Sequence, residues 1–173
     1  AITDKLLLLA RADAGKLVTE KHRVDLSELI SEIAEDFAII AEDNGLHLQV
    51  EVQANAWIFG DSILLRQVFF NLFDNAIKYN LPEGWISAKV ECSDDQVVFT
   101  IANSSVPIPD PARAHLFERF FRTQQSRARE EGGAGLGLSL CFEIAAAHGG
   151  TLELAEAVGD MTCFKLTLRR NGI

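Results

Sequence analysis

The stretch "FFNLFDNAIKYN", residues 69–80, decides how the chain is read. Phe69, Leu72, Phe73, Ala76 and Ile77 recur at helical spacing, yet Asn71, Asn75 and Lys78 share the same run. Asparagine is a poor helix-interior residue because its amide competes for backbone hydrogen bonds. At about 100° per residue, the two amides and the ammonium fall within roughly 60° of one another around the helix. Leu65, Val68, Phe69, Leu72 and Ala76 form the apolar stripe beside them. Two readings stand at this point. The trio is either a pair of core asparagines with a snorkelling lysine, or a phosphate and metal site. Amide oxygens are hard ligands suited to Mg²⁺ when phosphates supply the negative charge, and a lysine meets phosphate as a point charge.

Outward from this helix, the order is legible. Residues 4–13 are helical, Gly15 stops them, and 16–24 enter a strand. Asp25 caps a helix over about 26–43 with Leu29, Ile30, Ile33, Phe37 and Ile40 at helical spacing, and "DNG" ends it. "LHLQVEV" and "WIFGD" are strands, and Asp61 or Ser62 caps the asparagine helix. "WISAKVEC" and "QVVFTIAN" flank "SDDQ" as a hairpin. Residues 104–134 are irregular and hold three of the four prolines, so they read as a functional segment. An apolar helix, "GLGLSLCFEIAAAHGG", and a strand pair, "TLELAEA" and "CFKLTLRR", close the chain. The expected fold is α+β: a two-layer sandwich of one mixed sheet with helices on one face.

The 173 residues carry a formal net charge of −9, which opposes non-specific binding to a phosphate backbone, so no nucleic-acid partner is expected. Cys92, Cys141 and Cys163 form no C-x-x-C pair and read as buried thiols in a reducing compartment. The longest apolar run, "LLLLA", is too short to span a membrane, so this chain is expected to be soluble. Its abrupt start reads as the tail of a longer helix in an excised fragment. "GGAGLGLSL" sets Gly132, Gly133, Gly135 and Gly137 before or at the start of an apolar helix, where free N–H groups and the helix dipole can meet an anion. It is neither a P-loop nor a dinucleotide fingerprint; by itself it could equally be a flexible hinge.

Three motifs together carry a family resemblance over nearly the whole chain. "NLFDNAIKYN" resembles the N box of two-component sensor histidine kinases, "LFERFFR" their F box and "GGAGLGLSL" their second glycine box, in that order. "LLLLARADAGKL" resembles the end of the second dimerisation helix, and "VDLSELI" the start of the catalytic domain. The resemblance implies the ATP-binding sandwich shared with gyrase-type topoisomerases, a chaperone family and mismatch-repair ATPases. Residues 1–20 would be dimerisation helix and linker, 21–173 the catalytic domain, and about 104–134 its ATP lid. The implied ligands are ATP and Mg²⁺. Asn75 would be the main Mg²⁺ ligand, with Asn71 near metal and phosphates. Lys78 would contact phosphate, Tyr79 would pack by the adenine, and Arg122 would reach the γ-phosphate. Phe117, Phe120 and Phe121 would anchor the F box. Gly133, Gly135, Leu136 and Gly137 would close over the phosphates, and Phe121 and Thr162 would also face the nucleotide. The implied partners are the phosphoacceptor helix of its own dimerisation domain and a cognate response regulator, in a membrane-anchored homodimer of the bacterial inner membrane with this domain in the cytoplasm.

The pattern also departs from the family. The first glycine box, D-x-G-x-G, is replaced by "NSSVP", with Asn103 at the aspartate that accepts from the adenine amino group. A neutral acceptor makes a weaker bond than a charged one, and Pro107 fixes φ and has no N–H. The last glycine box, "GDMT", keeps Gly159 and Thr162 but has Met161 for a glycine. Hydrolytic relatives place a glutamate base four residues before the metal-binding asparagine. Asn71 stands there, and an amide cannot take a proton near neutrality, which favours transfer to an external nucleophile. A degenerate nucleotide-binding scaffold is the alternative. His22, His47, His115 and His148 all read as structural, and His148 as a cation or donor at a helix C-terminus. Arg119, Arg127 and Arg129 read as solvated loop charges.

Overall fold

The computed structural model describes residues 2–17, 20–123, 134–155 and 160–170. Helix α1 is Ile2–Asp13, strand β1 His22–Asp25, and helix α2 Leu26–Asp43. The Asp25 carboxylate caps α2 by accepting from the N–H groups of Ser27 at 2.9 Å and Glu28 at 3.2 Å. Asn44 ends it, and Gly45, at φ 67°, makes the left-handed exit that a side chain would resist. Strands β2 (His47–Val52) and β3 (Trp57–Gly60) lead to α3 (Ser62–Lys78), which is capped by Asp61. Strands β4 (Trp85–Cys92) and β5 (Gln96–Ser104) form the expected hairpin, and a short helix α4 (Asp110–Arg113) follows. Helix α5 (Gly137–Ala147) and the antiparallel strands β6 (Thr151–Leu154) and β7 (Met161–Arg169) complete the chain.

Five strands make one mixed sheet in the order β2-β4-β5-β7-β6, with β2 parallel to β4 and the other pairs antiparallel. The buried row of each strand faces the helices: Ile86, Ala88 and Val90; Val97, Phe99 and Ile101; Phe164, Leu166 and Leu168. Phe69 and Phe73 of α3 close on Phe99, with centroids 5.1 Å and 6.0 Å away, and Phe37 of α2 stacks on Phe73 at 5.4 Å. The opposite face carries ion pairs such as Lys89–Glu91 and Lys165–Glu153.

Two expectations are corrected. The strands do not all join one sheet: β1 and β3 form a separate antiparallel ribbon, His22 opposite Gly60. Each has four residues, and the N–H of Leu26 bonds the carbonyl of Ala56 at 2.7 Å, folding the ribbon over α2. Such brief alternation does not reveal a partner strand. The cysteines are not uniformly buried either: Cys141 is, whereas Cys92 and Cys163 are partly exposed. No helix of the described residues is long and apolar enough to cross a membrane.

One cross-tie was not legible beforehand. Asn80, just past α3, is buried and donates to the carbonyls of Ala76 and Trp85, each at 3.1 Å. Its Oδ1 accepts from the N–H of Leu81 at 2.9 Å and from Ser104 Oγ at 2.5 Å, and Ser104 Oγ accepts from the N–H of Trp85 at 3.0 Å. Gly84 leaves room for this network, since a Cβ there would lie 2.1 Å from both Asn80 Oδ1 and Ser104 Oγ. Deleting the amide strands several buried partners, each costly to leave unpaired. Asn80→Ala is therefore expected to lower the unfolding free energy by about 1–3 kcal/mol in urea melts. Wild-type stability in that variant would show the network to be dispensable.

Candidate nucleotide-binding site

The asparagine helix, the polar ends of two sheet rows and the segment after β5 surround one cleft of about 820 Å³. From α3 come Asn71, Asp74, Asn75 and Lys78, followed by Tyr79 at its C-cap. The floor is set by strand register. The inward row of β5 runs Val97, Phe99, Ile101 and then Asn103, and that of β7 begins at Thr162, directly opposite Asn103. Two apolar rows thus end in polar residues at the same edge. The segment after β5 contributes Ser105, Leu116, Phe121 and Arg122, and the start of α5 contributes Gly135, Leu136 and Gly137. Every site residue expected from the sequence lines this cleft except Gly133, which lies outside the described residues.

The polar groups are arranged with direction. Asn103 donates through Nδ2 to the carbonyl of Ser104 at 2.9 Å, which leaves Oδ1 as its acceptor. Ser105 Oγ and Thr162 Oγ1 are 2.7 Å apart. Lys78 is paired with Asp74, Nζ to Oδ2, at 2.6 Å, a partner the sequence reading missed although their i,i+4 spacing is its signal. Asn71 is buried, and its Oδ1 accepts from Lys5 Nζ of α1 at 3.1 Å. Its Nδ2 is buried without an oxygen or nitrogen acceptor and meets the Cys141 thiol instead. The amide lies by the Cys141 thiol, which burial pushes up to about 12 against the smaller opposing effects of Asn71 and Lys5.

The glycines act through space and φ. Gly135 has φ 71°, and a Cβ on it would lie 2.8 Å from both Phe120 C and the Phe121 carbonyl oxygen. Phe120 is itself left-handed, at φ 64°, and its N–H bonds the Gly135 carbonyl at 2.9 Å. At Gly137 a Cβ would meet Asn71 Oδ1 at an ordinary 3.7 Å. No side chain caps α5 at Leu136, so the N–H groups of its first turn are available to an anion.

Several side-chain expectations change. Phe120 is 59% exposed, so it does not anchor the F box. Phe117 does, packing on Phe142 at 5.4 Å and Phe164 at 6.3 Å, while Phe121 sits in the cleft near the His115 ring. Arg119 is no free loop charge: its guanidinium grips the Asp13 carboxylate at 2.8 Å and 2.5 Å and lies 3.8 Å from Glu143. Arg127 and Arg129 lie outside the described residues. His148 is a donor and not a cation. Nδ1 donates to the Ile144 carbonyl at 2.7 Å and Nε2 accepts from the Asp61 N–H at 3.0 Å, so the ring is held neutral. Burial, first among the causes, pushes its pKa below the ordinary value. No histidine lines the cleft.

The residues fit a metal-bound nucleotide. Two amide oxygens stand on one helix face beside a lysine, the buried Asn71 amide has no oxygen or nitrogen acceptor for its Nδ2, and a bare helix start faces it across contact distance. Among the described residues no three His, Cys, Asp or Glu side chains gather around a common point, so a cation here would share its ligands between amide and phosphate oxygens.

A sandwich with this cleft defines the histidine kinase-, DNA gyrase B- and HSP90-like ATPases, and the chain belongs to that family, whose description matches residues 60–172. Within the family the domain is of the catalytic, ATP-binding type found in sensor histidine kinases. It is 38% identical over 167 residues to the probable sensor protein PcoS of Escherichia coli, covering 96% of this chain and 35% of that protein. The chain thus spans about a third of the length of that relative. It resembles the nucleotide-free catalytic domain of histidine kinase ThkA with TM-score 0.78 and 26% identity, over 88% of this chain and 97% of that one. It also resembles full-length ShkA in complex with AMPPNP, with TM-score 0.79 and 27% identity, over 95% of this chain and 34% of that one.

Proposed function

We propose that this domain binds Mg-ATP and transfers its γ-phosphate to a histidine of a dimerisation hairpin, for relay to a response regulator. The observation that carries this reading is the convergence of Asn75, Lys78, Asn103, Arg122 and Gly135, drawn from four separate segments, on one cleft. Bound Mg-ATP supplies the phosphoryl group. Asn103 Oδ1 accepts from the adenine amino group, with Tyr79 packed beside the ring. Lys78 turns from Asp74 toward phosphate oxygens, and the bare start of α5 donates its N–H groups to them. Asn75, with Asn71 beside it, offers amide oxygen to the metal, and Arg122 offsets charge at the γ-phosphate. Asn71 cannot take a proton, so water is not activated there and the acceptor must come from outside the cleft. The four histidines stay structural. Residues 1–20 serve as dimerisation helix and linker, and residues 21–173 as the catalytic domain with its lid near 104–134. The whole protein is a membrane-anchored homodimer of the bacterial inner membrane, with this domain in the cytoplasm.

Titration with AMPPNP, with and without Mg²⁺, tests the binding half. Saturable binding that GTP does not match is the expected result. With γ-labelled ATP, the chain alone should stay unlabelled and an added acceptor hairpin should gain acid-labile phosphate. One feature favours a second reading, a degenerate nucleotide-binding scaffold: "NSSVP" replaces the first glycine box, and Ser105 is tied to Thr162 where the family has glycine. Failure to bind ATP at millimolar concentration with Mg²⁺ would support the scaffold.

A further inference from the structure

The metal-facing amide of the cleft already holds a cation that the chain itself supplies. Lys5 lies on α1, 66 residues away from Asn71 in sequence, yet its ammonium donates to Asn71 Oδ1 at 3.1 Å. Lys5 is half-buried and lines the cleft with Ile2. The contact is not a loose surface pairing, because α1 is anchored along the turns that follow it. Leu9 is 1% exposed, α1 packs on α5, and Asp13 at the helix end is gripped through two oxygens by Arg119. Asn71 is 6% exposed, and Lys5 provides the hydrogen bond to its amide oxygen.

An ammonium on an amide oxygen has the position and charge sign of a metal ion there, without its double charge or its coordination sphere. It attracts phosphate oxygens and repels a divalent cation at the same ligand. We infer that Lys5 sets the metal dependence of nucleotide binding: docked α1 lets the cleft take a triphosphate without Mg²⁺, and Mg²⁺ at the asparagines must displace Lys5 from Asn71. This rests on the proposed Mg-ATP site and assigns to α1 a positioning residue of that site.

The measurement is the gain in AMPPNP affinity on adding Mg²⁺, by calorimetry, for the wild-type chain, Lys5→Met and Lys5→Arg, with melting curves for each. Wild type and Lys5→Arg should show a small gain. Lys5→Met should bind metal-free AMPPNP more weakly and gain about tenfold more from Mg²⁺ than wild type does. Trypsin cleavage after Lys5 in the wild-type chain should quicken with AMPPNP plus Mg²⁺ over AMPPNP alone. Equal affinities in wild type and Lys5→Met, or a loss in Lys5→Met that is the same with and without Mg²⁺, would overturn the inference. Absence of binding in all three chains at unchanged melting temperature would instead remove the Mg-ATP reading itself.

Discussion

Asn75→Ala is expected to lose the whole gain in nucleotide affinity that Mg²⁺ gives the wild-type chain, while melting close to the wild-type temperature. Asn75 lines the cleft from the half-exposed edge of α3, whereas the helix core is held by Leu65, Val68, Phe69, Leu72 and Phe73, all buried. Its side chain can therefore be removed without opening a cavity. Asn75→Asp adds negative charge beside the phosphates and should not simply restore binding. A purely structural asparagine would give the opposite pairing: earlier melting by about 1–3 kcal/mol with the metal dependence intact. Calorimetric titration and thermal melts on the same preparations separate the two.

Gly135→Val should weaken nucleotide binding nearly as severely, for an unrelated reason. A β-branched residue at φ 71° is strained by about 1–2 kcal/mol from backbone sterics alone. Its Cβ would also press on the Phe120 and Phe121 backbone at 2.8 Å, neither of which is the movable end of a side chain. The turn that sets Phe121 and the start of α5 at the cleft must then shift. We expect affinity to fall by about tenfold or more, with melting lowered by a few degrees by the same strain, because the neighbouring Leu136 belongs to the buried core. Gly137→Ala separates the two effects: its new methyl meets Asn71 Oδ1 at an ordinary 3.7 Å, so this variant should fold and melt as the wild type does. Equal binding by Gly135→Val and wild type would show that this turn does not shape the site.

Much of this molecule is local and could be read from the chain. The Asp25 cap and the period of α2 define that helix to the residue. The alternation of β4 and β5 announces their pairing, and the spacing of Asn71, Asn75 and Lys78 places them on one helix face before any fold is known. What could not be read has no local period. The Lys5–Asn71 bond and the Asp13–Arg119 bridge join segments 66 and 106 residues apart. The charge of Arg119 looked solvated because nothing near it in sequence answers it. Thr162 was visible through the family pattern; its register opposite Asn103 required the sheet. Asn80 sits beside the N box without standing out, because two of its partners, Trp85 and Ser104, belong to later strands.

That last residue has a wider consequence. The tie from Asn80 to Ser104 and Trp85 locks the end of α3 to the ends of β4 and β5. Lys78 and Tyr79 stand on one jaw of this caliper and Asn103 on the other. The spacing between these side chains is therefore gauged by framework hydrogen bonds that no ligand has to make. Substitutions in the described segment 106–123 are then expected to leave that spacing unchanged.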